Sequence, residues 1–569
     1  MFGVSNIMSS MEYVKAEGKG GCLLSLDFFK AYDRVFLGFL LKVMDRMNFG
    51  QKFCQWISML HANARTCFVL EGMTRFIDLT FSIRQGDPLS MVLYILYVEP
   101  LLVYIENRIK GLSFPSPRGS FLDFEKDEAY CDDLNVVTED VNDLIIVDQA
   151  VGKFESLSGA LLSRGNKCKI FGFGCWKKRT SWPLAYVECV NELKIFGIIF
   201  TDSYRTMLRR NWDYRITKFE QSVISWSTRS LETIFQKIEV LKTFAMSRLF
   251  YIGSILPLPE GQAKKIDRII GKFIWMGKLM RVPLAELQLP HHKGGGGLIC
   301  IRSMAKSLRL SHFLRLLKNG ESRTLSHIQY WIGEVIDDLI PGMALGEHGS
   351  ASQFFDDLAT LVTDARIGNV MMLSDWKRLT NKAIYLKFIV TFPSPRVELN
   401  AGYSFSRVWW RLNSPVLNTS CKGVLYLLIH NKLPVKERLF RLRMAPDPYC
   451  EDCYDYVGAV TGDIAHCFAA CRKVASIWSK VRRIVTSLLG PISNAVPCIN
   501  LLSLQFPGGE KHDEAVWIIG QYVSVVWESL VSKERSVISE EKFFGHLKFK
   551  YRLDQCGARL PLGQILSIS

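Results

Sequence analysis

Aspartates that follow apolar segments are the residues of this sequence whose types and spacing point most directly to chemistry. Asp27 comes directly after the apolar run of residues 22–26, and Asp132 and Asp133 stand much later in the chain between two apolar flanks. An acid at the end of a buried strand is directed out of its sheet, and an aspartate pair between apolar flanks is typical of a β-hairpin tip. We therefore expect Asp27 and Asp132 to converge.

Convergent carboxylates repel one another unless a cation lies between them, and hard oxygen ligands favour Mg²⁺. Two such ions, roughly 4 Å apart, can activate a hydroxyl nucleophile and neutralise the charge of a departing pyrophosphate, which is the chemistry of nucleotide addition. The simpler alternative is an aspartate pair that is merely solvated in a surface turn.

A second set of potential ligands lies between residues 450 and 471. Cys450 and Cys453 are separated by two residues, and His466 and Cys471 follow with four residues between them. This spacing can supply the two edges of a tetrahedral site and predicts bound Zn²⁺. Cys467 is a competing ligand, although adjacent side chains rarely reach one tetrahedral centre together. The alternatives are a purely structural zinc site and four unrelated buried thiols.

The elements that must position the aspartates are predicted from hydrophobic periodicity. Residues 22–26 are typical of a buried strand, and residues 90–109 are typical of a long helix followed by a breaker at 114–117. Another helix is predicted from apolar residues at helical spacing, namely Phe36, Leu40, Val43 and Met47. Residues 1 to about 200 therefore indicate an α+β fold.

The remainder of the chain is predominantly helical by pattern. From about 205 to 320 basic residues alternate with Trp212, Trp226 and Trp275, which indicates a second domain, and residues 294–297 predict a tight backbone turn. Most of these tryptophans could equally be core residues. Residues 320–440 give weak helical patterns without an assignable task, and a mostly helical tail follows the cysteine cluster.

Composition limits the class of protein. Lys and Arg total 71 against 55 Asp and Glu, and this net charge of +16 favours polyanion partners, although a solvated basic surface is the simpler alternative. The 15 cysteines are scattered, and the start of the chain carries no signal sequence pattern, so we expect an intracellular protein with reduced thiols. No membrane span is expected, because Glu99, Pro100 and Glu106 interrupt the most apolar stretch.

Five segments, in a single order along the chain, resemble the palm motifs of reverse transcriptases from non-LTR (LINE-type) retrotransposons. They are residues 27–33 (DFFKAYD), 84–90 (RQGDPLS), 129–133 (AYCDD), 158–174 with its central lysine, and 193–198 (LKIFGI). The order and spacing make a chance match very improbable. The zinc-type cluster also stands where the family carries a zinc knuckle.

The resemblance implies a role for the acidic residues and for one lysine. Asp27, Asp132 and Asp133 would hold two Mg²⁺ ions, and Lys167 would help to protonate pyrophosphate. Lys167 could also be an ordinary solvated charge.

The resemblance also implies a nucleotide site. Tyr32 would lie under the sugar and exclude a 2′-hydroxyl, which selects deoxynucleotides, while Gln85 and Gly86 would approach the incoming nucleotide. A core aromatic and a loop amide are the alternatives for Tyr32 and Gln85.

The expected architecture is that of a right-hand polymerase, an antiparallel palm sheet with packed helices followed by a helical thumb, a helical linker and a small zinc-binding module. We expect the fingers to be incomplete, because only 26 residues precede Asp27. The predicted domains are a palm with incomplete fingers at 1–204, a thumb at 205–320, a helical region at 321–440, a CCHC zinc knuckle at 441–480 and a helical tail at 481–569.

The leading functional hypothesis is an RNA-directed DNA polymerase that takes an RNA template, a DNA primer and deoxynucleoside triphosphates in target-primed reverse transcription, in the nucleus. The alternative is a catalytically silent retrotransposon remnant that only binds nucleic acid. A third and weaker hypothesis is another right-hand polymerase, such as an organellar intron maturase. No endonuclease or RNase H pattern is recognised.

Overall fold

The protein is described from a computed structural model. The described residues are 2–61, 65–67, 69, 73–78, 82–84, 86–114, 123–130, 133–165, 167–277, 281–319, 322–337, 352–367, 379–490, 495–507, 512–532 and 538–554. Gln85, Asp132 and the predicted breaker residues 115–117 lie outside them.

The strands are confined to the first part of the described chain. They are β1 Gly20–Asp27, β2 Arg65–Thr66, β3 Ile77–Asp78, β4 Leu112–Phe114, β5 Asp123–Glu125, β6 Asp127–Tyr130, β7 Asp133–Thr138, β8 Lys169–Gly174, β9 Glu188–Cys189, β10 Glu192–Ile195 and β11 Ile198–Thr201.

Helices alternate with these strands along the chain and account for the regular structure after Thr201 in the described part of the chain. The first thirteen are α1 Phe2–Ala16, α2 Leu37–Arg46, α3 Gln51–His61, α4 Pro88–Glu106, α5 Val141–Ser158, α6 Tyr204–Ser227, α7 Ile234–Val240, α8 Ser247–Gly253, α9 Glu260–Trp275, α10 Leu284–Leu287, α11 Ile301–Asn319, α12 Ser322–Asp337 and α13 Gln353–Ile367. The rest are α14 Asn381–Val390, α15 Arg396–Ala401, α16 Ser406–Leu412, α17 Thr419–Ile429, α18 Lys436–Arg441, α19 Glu451–Val457, α20 Ala475–Leu489, α21 Cys498–Leu502, α22 His512–Val531 and α23 Glu540–Asp554.

A five-stranded sheet with the order β6-β7-β1-β8-β9 carries the predicted aspartates. Its strands pair antiparallel as expected, except that the two-residue strand β9 runs parallel to β8. The long connection between β8 and β9 permits this parallel pairing, which a tight hairpin would not. The central strand β1 agrees with the strand predicted at 22–26.

Strand β1 is buried on both of its faces. Cys22, Leu24 and Leu26 belong to a core with side chains of α4 and α5, whereas Leu23 is fully buried outside that core. Helix α1 packs on β1 and β8. A strand covered on both sides needs a continuous apolar run, which is why this segment lacks polar alternation.

The predicted helices are present, with corrected ends. Helix α2 buries Leu40, Val43 and Met44, but Phe36 and Met47, which were expected on its apolar face, flank the helix and are exposed. The expectation for these two residues was wrong because helical spacing continues past the point where the chain turns. Helix α4 runs from Pro88 to Glu106 rather than from 90 to 109.

One described helix, α4, is long and apolar enough to cross a membrane by length and composition alone. Its buried side chains nevertheless recur on one stripe and pack in the core beside the sheet, namely Ser90, Leu93, Tyr94, Tyr97, Val98, Leu101 and Ile105. This burial is that of a core helix in a globular domain.

The chain divides into two compact units. The first contains Met1–Tyr214, Tyr251–Pro259 and Ala305–Ile384, and the second contains Arg215–Phe250, Glu260–Met304 and Tyr385–Ser569. In the first, Trp212 is fully buried and donates its indole N–H to the Pro257 carbonyl at 2.7 Å. In the second, Trp275 is buried as well. These two tryptophans are therefore core residues.

The predicted glycine turn lies in the second unit. Gly294 and Gly297 have φ values of 78° and 67°, and a Cβ on Gly295 would lie 1.8 Å from the Leu289 carbonyl oxygen. The turn thus requires both left-handed backbone and close approach, and only glycine provides both without strain.

Candidate active site and candidate metal centre

Asp27 and Asp133 are brought together by strand register. Asp27 is the last residue of β1, Asp133 is the first residue of β7, and their Cα atoms are direct partners in the antiparallel ladder. Side chains of directly opposed residues point to the same face of a sheet. Two carboxylates far apart in sequence are therefore neighbours at one edge of the sheet, the edge where β1 ends and β7 begins.

Asp132 lies outside the described residues, but the strands around it are clear. Strands β6 and β7 pair antiparallel, and Tyr130 of β6 is the partner of Asp133 of β7. This agrees with the predicted hairpin context of the aspartate pair.

Lys167 lies beside the carboxylates. Its Nζ is 3.3 Å from Oδ2 of Asp27, and the two side chains are 65% and 39% exposed. Oδ2 itself is buried and makes no well-aligned hydrogen bond within the described residues, so the contact is electrostatic. A buried carboxylate oxygen without a donor is suited to a cation, and its chemistry fits Mg²⁺.

The loop that carries Lys167 is anchored to the end of β1 and to α5. The Asp27 carbonyl accepts a hydrogen bond from Ser163 N at 2.7 Å, and Arg164 donates two hydrogen bonds to Glu155 of α5 at 2.8 and 2.7 Å. This double contact fixes the segment around the carboxylate edge.

Tyr32 follows β1 in a short 3₁₀ turn. Lys30 adopts a left-handed conformation with φ 45°, which turns the chain, and the Tyr32 carbonyl accepts a hydrogen bond from Ile83 N at 3.0 Å. The half-buried Tyr32 ring stacks on Tyr94 of α4, with centroids 5.0 Å apart and planes 25° apart. The segment before Gly86 is thereby attached to the turn that holds Tyr32.

Gly86 and Asp87 form the entry to α4. Gly86 has φ 89°, and a Cβ placed on it would meet no atom within 4 Å. The absence of a side chain thus leaves open space beside the backbone. Asp87 caps the helix by accepting a hydrogen bond from Leu89 N at 2.9 Å, with Pro88 at the first helical position.

The fifth motif forms a separate hairpin. Strands β10 and β11 are joined by Phe196 and Gly197, whose φ values of 50° and 76° are both left-handed. The Phe196 carbonyl accepts a hydrogen bond from the hydroxyl of Tyr251. Two consecutive left-handed residues match the type I′ turn that a two-residue hairpin prefers.

The four predicted zinc ligands come together in the second unit. One ligand atom from each of Cys450, Cys453, His466 and Cys471 lies within 4.8 Å of the others, and all four residues are buried. The Sγ atom of Cys471 is 3.9 Å from that of Cys450 and 3.8 Å from that of Cys453. Nε2 of His466 is buried and has no hydrogen-bond partner among the described residues. This donor set fits a tetrahedral metal ion.

The hydrogen bond between the thiols of Cys450 and Cys471 shifts their pKa values in opposite directions. The bond from Cys471 lowers the pKa of Cys450 to about 5, although burial opposes this shift, while the pKa of Cys471 is raised by the same contact. Cys467 lies outside the set, and burial raises its pKa to about 12. Because its sulfur is not among the four ligand atoms that lie within 4.8 Å of one another, Cys467 is not a competitor for the site.

Residues 2–199 match the family described as reverse transcriptase (RNA-dependent DNA polymerase). That interval contains the opposed Asp27 and Asp133. The chain carries a reverse transcriptase domain.

The relatives of this reverse transcriptase chain are proteins of non-LTR retrotransposons. It is 27% identical over 319 residues to the transposon TX1 uncharacterized 149 kDa protein of Xenopus laevis, matching 55% of this chain and 24% of that protein. It is 24% identical over 336 residues to the retrovirus-related Pol polyprotein from type-1 retrotransposable element R2 of Popillia japonica, matching 56% and 54% respectively.

A third relative is the retrovirus-related Pol polyprotein from type-2 retrotransposable element R2DM of Drosophila melanogaster, 22% identical with 51% of this chain and 27% of that protein matched. The chain thus spans between a quarter and about half of these relatives. The solved structure of telomerase from Candida albicans with a TWJ fragment of telomeric RNA is 10% identical and gives a TM-score of 0.27, covering 63% of this chain and 52% of that one. A similarity this low supports no argument. The expected reverse transcriptase domain is confirmed by the family match over residues 2–199, and the expected relation to non-LTR retrotransposons by these three relatives.

The reverse transcriptase chain also contains a group of cations that sequence reasoning missed, Arg281, Lys432 and Arg438 in the second unit. Burial lowers the pKa of all three, and Arg438 lowers the pKa of both Arg281 and Lys432 further. Arg438 donates to the Asn431 carbonyl at 3.1 Å, but none of the three forms an ion pair with a described carboxylate. No sequence signal links residue 281 to 438, because only the fold brings their charges together.

Proposed function

We propose that this chain is an RNA-directed DNA polymerase that adds deoxynucleotides to a DNA primer in target-primed reverse transcription. The observation that carries the proposal is the direct pairing of Asp27 with Asp133 at the sheet edge, within the interval that matches the family. Opposed carboxylates at a sheet edge are the ligands that phosphoryl transfer requires.

In this proposal Asp27, Asp132 and Asp133 hold two Mg²⁺ ions. When bound, these ions lower the pKa of the primer 3′-hydroxyl and neutralise charge on the leaving pyrophosphate. Lys167, 3.3 Å from Asp27, is near enough to supply a proton to the same region. Its contact with Asp27 also offsets part of the negative charge of the edge.

The proposed nucleotide site uses the surface next to the carboxylates. Tyr32 contacts the sugar with the ring face that does not stack on Tyr94, and Gly86 allows the incoming nucleotide to approach the backbone. Gln85 is proposed to hydrogen-bond the substrate. These roles rest on the family motifs and on the local geometry of Tyr32 and Gly86.

Basic residues on α9 support a template–primer contact in the proposed thumb, residues 205–320. Lys264, Arg268 and Lys272 are exposed at intervals of four residues, so they form a row on one side of the helix with a spacing of about 6 Å. Such a row suits the phosphates of a nucleic-acid backbone, which are bound without regard to sequence.

The module at 441–480 is proposed to bind Zn²⁺ through Cys450, Cys453, His466 and Cys471 and to assist nucleic-acid contact. The cation group of Arg281, Lys432 and Arg438 belongs to the same unit, and half-buried cations without ion pairs favour an anionic ligand. The palm at 1–204, the helical region at 321–440 and the tail at 481–569 complete the proposed layout. A nuclear site of action follows from the family resemblance.

The test is extension of a DNA primer annealed to RNA by purified chain with Mg²⁺ and deoxynucleoside triphosphates. We expect extension by the native chain and a loss of about 10³-fold or more in Asp132→Asn, because one metal ligand is neutralised. Asp45→Asn is the matched control, since Asp45 is an exposed aspartate on α2.

Two outcomes would contradict the proposal in different ways. Full activity in Asp132→Asn would refute the assignment of the site. Absence of extension by the native chain, with retained binding of template–primer, would instead favour the silent nucleic-acid-binding remnant.

A further inference from the structure

The ring of Tyr32 rests on a second aromatic ring that none of the five motifs assigns to the nucleotide site. We infer that Tyr94 is a positioning residue for sugar discrimination, because it fixes the plane of Tyr32 against the incoming nucleotide. The inference rests on the proposed function, in which Tyr32 contacts the sugar.

The contact between the two rings has a geometry that restricts Tyr32. Their centroids are 5.0 Å apart and their planes differ by 25°, so one face of Tyr32 is covered by Tyr94. Tyr94 is 1% exposed, whereas Tyr32 is half-buried. Stacked rings resist tilting because a tilt removes contact area and dispersion energy together. The Tyr32 ring is therefore held in one orientation.

The ring of Tyr94 is itself held by other aromatic rings of the core. Its ring lies 5.7 Å from that of Tyr97, whose hydroxyl donates to the Ser158 carbonyl at 2.9 Å. Tyr97 packs edge-on against Phe39 at 5.5 Å and Phe154 at 5.4 Å. The support thus extends from α4 to α2 and α5.

Backbone contacts hold the main chain of Tyr32 but leave its ring to be placed by packing. The Tyr32 carbonyl accepts from Ile83 N at 3.0 Å, and Lys30 sets the turn that precedes it. If Tyr94 is made smaller, the backbone of Tyr32 stays fixed while its ring gains freedom to tilt. The expected consequence is tolerance of a 2′-hydroxyl, with little change for deoxynucleotides.

The experiment measures the preference for a deoxynucleoside triphosphate over the matching ribonucleoside triphosphate. It uses the full chain with template–primer, by competition binding in Ca²⁺ and by kcat/KM for single addition in Mg²⁺. We expect Tyr94→Leu to reduce the preference about 10-fold or more, because displacement of a positioning group by about 1 Å has effects of this size. Tyr94→Phe retains the ring and should stay within about twofold of the native preference.

Two further variants separate positioning from general loss of packing. Phe173→Leu removes a fully buried ring of the same unit that lies outside the core containing Tyr94, so it should lower thermal stability while the sugar preference is retained. Tyr32→Ala should abolish the preference.

The possible results have distinct meanings. If Tyr32→Ala leaves the preference unchanged, the proposed role of Tyr32 is wrong and the inference for Tyr94 falls with it. If Tyr32→Ala lowers the preference but Tyr94→Leu does not, only the inference for Tyr94 is overturned. An equal reduction in Phe173→Leu would overturn it too, because the effect would then be one of general core packing.

Discussion

The carboxylate edge and the cysteine–histidine cluster are both candidate metal sites, yet they are built differently. The edge joins β1 and β7, elements more than a hundred residues apart, and its side chains are partly solvated, with Asp27 39% exposed and Asp133 also exposed. The cluster draws all four ligands from one short segment, and all of them are buried within 4.8 Å of each other.

This difference makes the carboxylate edge suited to the exchange of ions and substrate, and the cysteine–histidine cluster suited to the retention of one metal ion. Exposed carboxylates stay hydrated and can release an ion and a substrate, whereas buried thiolates close the coordination sphere and exclude water. We therefore expect the edge to affect turnover with little influence on folding. The cluster should affect folding first and turnover only as a consequence.

Neutralising the edge should produce the largest effect. Asp27→Asn is expected to reduce primer extension by about 10³-fold, because a metal ligand loses its charge while the side-chain volume is kept. Thermal unfolding and zinc content should match those of the native chain. Glu188→Gln, which changes an exposed carboxylate of the same sheet, is the control. Loss of folding or zinc in Asp27→Asn would break the comparison.

Removing a ligand from the cluster should have the opposite result, with folding and zinc content affected before primer extension. Cys471→Ser is expected to weaken zinc binding by about 100-fold or more and to remove roughly 2.7 kcal/mol of zinc-dependent stabilisation. Zinc titration and thermal unfolding with and without chelator measure both. Cys467→Ser should keep zinc, since Cys467 lies outside the ligand set. The comparison fails if Cys471→Ser is as stable as the native chain and stops extension.

The lysine at the edge provides a finer test of the same difference. Because Lys167 is 65% exposed, Lys167→Gln should change the free energy of unfolding by less than about 1 kcal/mol. Single-turnover addition should slow about 10-fold or more if the ammonium donates a proton. An unchanged rate would leave Lys167 as a solvated charge.

The smallest effect is expected on the surface of α9. The double variant Lys264→Gln and Lys272→Gln should weaken template–primer binding and reduce the slope of log affinity against log salt by about 2. Lys52→Gln, an exposed lysine on α3, should leave the slope unchanged. A slope equal to that of the native chain would remove α9 from the proposed contact surface.

Local patterns were sufficient for the elements that carry the site. The apolar run at 22–26 predicted β1, the apolar stretch after Asp87 predicted α4, and the spacing of the four ligands predicted which residues the cluster contains. Each of these features is encoded by residues near one another in the chain. The order of the motifs predicted the reverse transcriptase domain.

Features that depend on tertiary contacts were not predictable in the same way. The stacking of Tyr94 on Tyr32 joins α4 to the turn after β1, and the grouping of Arg281 with Arg438 joins segments far apart in sequence. Helix periodicity indicates that Tyr94 is buried but not which ring it touches. The ends of α2 were misplaced for a related reason, because apolar spacing does not mark where backbone hydrogen bonding stops.

At the hairpin tip formed by Phe196 and Gly197, the left-handed backbone conformation restricts which residues fit without strain. A bulky aromatic residue is uncommon at φ 50°, a backbone conformation that asparagine and glycine adopt with less steric strain. Replacement of Phe196 by either of these residues would remove the aromatic ring from the hairpin tip. An aromatic ring at position 196 is therefore present only together with backbone strain at the tip.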